Sequence, residues 1–320
     1  MNIPKHIVQA ALVAALAATF PLAIAAEAPV APAAAKPAAT QRTFATPEDA
    51  AKALADAVRA KSANRLLAVV GPTSRSWLFT GDKVADLNQW NRFLAAYDEK
   101  NALEKQGDAK VVLAVGNDDW PFPAPIMKRG SRWAFDANAG REEVINRRVG
   151  RNELDAMQTL LAIVDAQREY AEEDADGNGF PDYAKRFLST PGKKDGLYWP
   201  VDAGGAESPL GPLVAAASRE GYGKVAKSEK RQPYHGYYYR ILTSQGRDAS
   251  GGAYDYMVGD KLLGGFAVVA WPARYRVSGV TTFLVNHDGV VYQKDLGAQT
   301  SAIAGSMTRY NPDATWRKAQ

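Results

Sequence analysis

At 320 residues, 46% hydrophobic and 10% aromatic, the chain has apolar material for one large domain or two ordinary ones, which excludes global disorder. A formal net charge of +4 at pH 7, with no dense Lys/Arg block, gives no support to a nucleic-acid partner. With no cysteine, disulfides, lipoprotein attachment, thiol catalysis and thiolate metal sites are excluded, so packing alone must stabilise each domain.

Residues 1–26 have the layout of a cleaved secretory signal peptide, favoured over an uncleaved anchor by Pro21 and the Ala-x-Ala arrangement. Lys5 carries the positive charge, Ile7 to Phe20 is an apolar run broken only by Gln9 and Thr19, and Pro21 to Ala26 supplies the small residues a signal peptidase reads. The expected location is therefore periplasmic or secreted. Residues 27–43 form an Ala/Pro-rich linker without periodicity. No later apolar run reaches the ~18 residues needed to span a bilayer, so no transmembrane segment is expected once the signal is removed.

Order is expected from Phe44. Thr46-Pro47-Glu48-Asp49 reads as a helix start, with Thr46 as cap and Pro47 in the first turn, and Ala50, Leu54, Ala57 and Val58 form one stripe. Gly71-Pro72 ends that unit. A second helix fits Val84 to Lys105, with Trp90, Phe93, Leu94 and Tyr97 inward. Lys110 to Val115 reads as a strand, and Pro125 to Phe135 as a hairpin turning at Arg129-Gly130. Residues 44–140 thus form an N-terminal α+β domain, two helices and a small antiparallel sheet, laid out like the cystatin or nuclear-transport-factor folds.

Residues 141–320 form the second expected domain. Arg141 to Glu173 predicts one long helix, with Val144, Ile145, Leu154, Met157, Leu161 and Val164 on its stripe and a bend at Gly150. Strands are expected at Tyr237–Leu242, Leu262–Trp271, Val280–Val285 and Val290–Gln293. The last two are joined by Asn286-His287-Asp288-Gly289, where Asp-Gly signals a hairpin. The fold class is α+β, ending in a long helix packed on an antiparallel sheet.

Several segments together resemble one exported bacterial family: Asn117-Asp118-Asp119-Trp120-Pro121-Phe122-Pro123, Asp165 to Tyr170, Asp195-Gly196-Leu197-Tyr198-Trp199-Pro200, Tyr234 to Tyr238, and Val285 to Gly297. That family is catalogued as domain of unknown function 2950. The resemblance covers nearly the whole mature chain, implies bacterial origin and secretion, and supplies no catalytic residues. The second domain alone also resembles the head of type IV pilins and pseudopilins. Its helix ends in Ala166-Gln167-Arg168-Glu169-Tyr170, and its sheet carries Gly264-Gly265-Phe266-Ala267, but a further domain stands where a pilin has its apolar stem.

The sharpest local motif is Asp174-Ala175-Asp176-Gly177-Asn178-Gly179-Phe180-Pro181-Asp182. Asp174, Asp176, Asn178, Phe180 and Asp182 match the first ligand positions of a calcium loop, and Gly179 allows its sharp turn. The twelfth position, where an EF-hand needs a bidentate Glu, is Lys185, so the expected calcium is weakly bound and structural. An ordinary Asx-rich turn explains the same residues.

Trp120, Tyr198, Trp199, His235, Tyr238, Arg240 and Trp271 are the candidate residues of a ligand or partner patch, with buried loop anchors as the plainer reading. His235 is a candidate base, beside Tyr238 and Arg240 for an anion. No Gly-x-Ser-x-Gly, Ser-x-x-Lys, phosphate-loop or dinucleotide signature is present. The sequence therefore favours an exported non-catalytic protein that binds an envelope or surface protein or a glycan, or serves surface assembly. The alternative is a carboxylate-based hydrolase or binder of polysaccharide or peptidoglycan, with Asp119 and Asp195 as candidates.

Overall fold

The computed structural model describes residues 40–201, 205, 207–222 and 232–319. The expected signal peptide and most of the expected linker lie outside them. Helix α1 (Pro47–Arg59) begins where the sequence places it: the Thr46 hydroxyl accepts from Asp49 N at 3.1 Å and Pro47 occupies the first turn. Its buried face carries the expected stripe together with Ala51 and Ala55. Two further helices come before the second expected one. They are α2 (Ala63–Val70), capped by Ser62 and ended at Gly71 with φ +114°, and the one-turn α3 (Arg75–Leu78).

Helix α4 (Lys83–Glu99) is shorter than expected, because Asn101–Lys105 is a strand, β1. The chain leaves the helix at Lys100 (φ −156°, ψ 134°), just past the last inward ring, Tyr97. Leu103 then pairs with Leu113 of β2 (Lys110–Val115). Cross-strand pairing wins over continued helix because the stripe has run out. With β3 (Trp120–Pro121), β4 (Ile126–Arg129) and β5 (Arg132–Phe135), an antiparallel sheet forms in the order β1-β2-β4-β5, β3 lying on β2. The β4–β5 hairpin turns at Gly130, φ +63°, as the sequence predicts. Leu54, Val70, Trp77, Leu113, Ile126 and Phe135 fill the first core between these helices and the sheet.

Helix α5 (Arg141–Glu172) follows Gly140, which sits at φ +72°. Over 32 residues it runs about 48 Å and passes Gly150 as unbroken helix. Val144 and Ile145 pack on the first core. Ala156, Leu160, Ile163, Val164 and Tyr170 belong to a second core. The expected stripe needs correcting: Leu154 and Leu161 are exposed, 51% and 44%. At 3.6 residues per turn they fall opposite Ala156, Ile163 and Gln167, which face the sheet.

The second core is closed by α6 (Gly211–Glu220) and an antiparallel sheet built from β6 (Tyr237–Leu242), β11 (Ala267–Pro272), β12 (Thr281–Asn286), β13 (Tyr292–Asp295) and β14 (Arg317–Lys318), ordered β14-β13-β12-β11-β6. Two small ladders flank it: β7 (Ser244–Gln245) with β8 (Tyr254–Asp255), and β9 (Met257–Val258) with β10 (Lys261–Leu262). Helix α5 lies against β11 and β12, while α7 (Thr300–Ser306) lies against β11. The strand expected from Leu262 to Trp271 is divided, because Gly264-Gly265 interrupts it. Gly265 has φ +134°, and the His287 ring stands where a β-carbon would sit. Among the described residues no helix is long and apolar enough to cross a membrane.

Gly140 and Gly150 make opposite predictions for one substitution. At Gly140 a β-carbon would enter the Pro123 carbonyl at a left-handed φ, so Gly140→Ala costs at least ~2 kcal/mol. Gly150 has ordinary helical φ and no atom within 4 Å of an added β-carbon, so Gly150→Ala gains about 0.5–1 kcal/mol. Urea midpoints check both; destabilisation by Gly150→Ala would mean the helix is not regular there.

Candidate functional site

Helices α1, α2 and α4 cover one side of the first sheet, and the start of α5 closes its end. Between them opens a cleft of about 610 Å³. Its depth is core: Leu54, Leu66 and Trp77 are 1–2% exposed. Trp90 and Phe93 of α4 form one wall, Val112 and Val115 of β2 another, and the segment Trp120–Pro125 a third. Phe93 and Phe122 pack with ring centroids 5.4 Å apart, and Trp120, 40% exposed, stands at the mouth.

The remaining wall is α5. Val144, Arg147, Arg148 and Arg151 fall at i, i+3, i+4 and i+7, a single helical face, and all line the cleft. Arg147 pairs with Glu143 at 2.7 Å. Arg148 donates through Nη2 to the Trp77 carbonyl at 2.6 Å, while its buried Nη1 has no partner. Burial first of all lowers the Arg148 pKa, and the nearby Arg151 and Arg274 guanidiniums lower it further; Asp86 acts against them. Asp86 is itself 6% exposed and accepts from Thr80 N and Oγ1, yet burial pushes its carboxyl up to about 6.

A polar network joins α4 to Tyr222 and Gly236 of the second half. Asp82, 1% exposed, caps α4 by accepting at Oδ1 from Val84 N and Ala85 N. Its Oδ2 accepts from Tyr222 OH at 2.8 Å and Gly236 N at 3.1 Å. Burial, then the Asp82 charge, raise the Tyr222 phenol well above the usual tyrosine range, which keeps it a donor. His235, at φ +49°, places Nδ1 3.0 Å from Asp155 Oδ2 and Nε2 3.1 Å from Glu220 Oε2. Both ring nitrogens thereby face carboxylates of this chain.

Most of the other residues singled out from the sequence gather on the second core, away from the cleft. Tyr238 stacks near Trp271 at 5.8 Å, and Arg240 lies over Trp271 while donating to the carbonyls of Ala304, Gly305 and Met307 at the end of α7. Trp199 and Trp271 are core residues, with Tyr198 packed against the same core. Of the seven patch candidates only Trp120 reaches the cleft. Asp119 pairs with Lys100 at 2.7 Å, and Asp195 accepts from Thr190 N and Oγ1; neither lines the cleft.

The Asp174–Asp182 loop closes on itself. Asp174 accepts from Asn178 N and Gly179 N, each at 2.9 Å, Asn178 Oδ1 accepts from Phe180 N, and Asn178 Nδ2 donates to Asp182 at 2.7 Å. Among the described residues no group of three or more His, Asp or Glu side chains is placed to hold a metal ion. The Lys185 side chain donates to the Asp260 carbonyl.

The cleft and its arginines escaped the sequence reading. The available signal was Arg148 and Arg151 continuing the apolar phase of Val144, where a solvent-facing helix would have turned them outward.

Against known proteins, the model of one family, described as "Protein of unknown function (DUF2950)", matches residues 41–319. The chain belongs to that family. No curated protein and no solved structure matches it, so the likeness of the second half to pilin heads rests on sequence alone.

Asp86 carries a pH prediction. Its folded pKa of about 6 exceeds the ordinary 3.8, so its contribution to stability is complete below about pH 4 and is lost as pH rises through 6. That loss is at most about 3 kcal/mol. Asp86→Asn should therefore gain on the wild type between pH 4 and 7 in urea midpoints, and a pH-independent difference would refute the assignment.

Proposed function

We propose that this is an exported binding protein of the bacterial envelope, and that its N-terminal half takes an apolar ligand in the cleft between α4, the first sheet and α5. The observation that carries this reading is the cleft itself. Its 610 Å³ falls within the ~300–1,000 Å³ of small-molecule sites, and Trp77, Trp90, Phe93, Trp120 and Phe122 line it. Export follows from the signal-like residues 1–26 and suits a chain without cysteine. The hydrolase alternative is less well supported. His235 is held between two carboxylates, and Asp119 and Asp195 belong to different halves with their oxygens engaged.

Three of the seven tryptophans line the cleft, which makes it readable by emission. Titration with dodecanol below its solubility limit is expected to change the emission saturably and raise Tm by about 3 °C or more at a hundredfold excess over Kd. Soluble peptidoglycan fragments are expected to leave both unchanged. Saturable binding of the glycan with none of dodecanol would reverse the order of the two readings.

A further inference from the structure

The cleft is apolar along most of its length, and its charged lining is mainly cationic: Arg147, Arg148 and Arg151 cluster on α5, with Arg92 on α4 and Lys110 on β2. Charged donors are rarely buried without a partner, because the desolvation they suffer is then uncompensated. Arg148 Nη1 is such a donor, itself out of reach of solvent, on a side chain that lines the cleft. One turn on, Arg151 is exposed, lines the same cleft and makes no ion pair among the described residues. Arg274 stands close enough to bear on Arg148, its own guanidinium donating to the Phe79 carbonyl. The acids nearby are already engaged: Glu143 with Arg147, and Asp86 with Thr80.

We infer that the cleft takes a single-chain fatty carboxylate, with the alkyl chain along the aromatic wall and the carboxylate among Arg148 and Arg151. This rests on the reading of the cleft as a ligand site and adds the chemistry of the ligand's polar end. A planar guanidinium presents parallel donors that match the two oxygens of a carboxylate, and such charge-assisted pairs are the strong ones. A single acyl chain fits within a cleft of about 610 Å³. The exposed Arg151 guanidinium, with Arg148 beside it on the same helical face, is then the empty half of an ion pair that the ligand completes.

The test compares three probes of equal chain length, dodecanoate, dodecanol and dodecyltrimethylammonium, each below its micellar concentration. Isothermal titration and tryptophan emission on the full chain read the binding. Dodecanoate is expected to bind at least about tenfold tighter than dodecanol, with the cationic probe weakest, and the advantage to shrink in high salt. In Arg151→Gln the carboxylate-to-alcohol affinity ratio falls severalfold. In Arg148→Gln it falls towards one, with a retained unfolding transition showing that the protein still folds. Equal affinity for dodecanoate and dodecanol would overturn the carboxylate inference while leaving an apolar site in place. A ratio unaffected by Arg151→Gln and Arg148→Gln would also overturn it, by placing the anion elsewhere. If neither probe binds, the proposed function fails with it.

Discussion

One helix belongs to two cores, and most of the architecture follows from that. Near its start α5 presents Val144 and Ile145 to the helices and sheet of the N-terminal half; three turns later Ala156, Leu160 and Ile163 press on the second sheet. Packing both ends fixes the helix in position and phase; full burial is worth roughly 1.5–3 kcal/mol for a large side chain such as Leu160 or Ile163, and less for the partly buried Val144 and Ile145. Hydrogen bonds set the register between these ends. Glu153 accepts from Val280 N and Thr281 N, each at 2.9 Å, and Asn152 donates to the Ser278 carbonyl at 2.8 Å. Asp82 adds a second join, since one buried carboxylate both caps α4 and holds Tyr222 and Gly236.

The cleft is a consequence of this arrangement. Between its two apolar stretches α5 must cross from one core to the other, and there it has no sheet to lie on. The face left over is Arg147, Arg148 and Arg151, directed into the gap that α4 and the first sheet leave open. A protein selected for stability alone would fill that gap with aliphatic side chains, since a buried guanidinium with an idle donor is costly. The cost stands here beside exposed Trp120 and a wall of rings, the combination a ligand site needs and a core does not.

Local chemistry made much of the fold legible. Thr46 and Pro47 marked the first helix, Asp288-Gly289 the β12–β13 hairpin, and the period from Val144 the long helix, because each signal is complete within a few residues. Where legibility failed, a distant partner decided. Leu103 reads as helix until β2 is there to pair with it, and Leu154 and Leu161 read as core until the sheet chooses the face with Leu160 and Ile163. The same holds for the site. His235 was noticed, but Asp155 and Glu220, which hold it, lie 80 residues before it in one case and across the α6 boundary in the other. The cleft draws on α1, α2, α4, β2 and α5, a set that no local window contains. Trp199 and, within β11, Trp271 proved to be anchors of the second core, which exposure decides and sequence alone cannot.

If α5 truly serves both cores, neither half can melt while the other stays folded. Differential scanning calorimetry of the full chain measures this directly, by setting the calorimetric enthalpy against the van't Hoff enthalpy. The shared helix predicts one transition with the two enthalpies equal. Two resolved transitions, or a calorimetric enthalpy well above the van't Hoff value, would mean that the halves unfold separately and that the helix does not couple them.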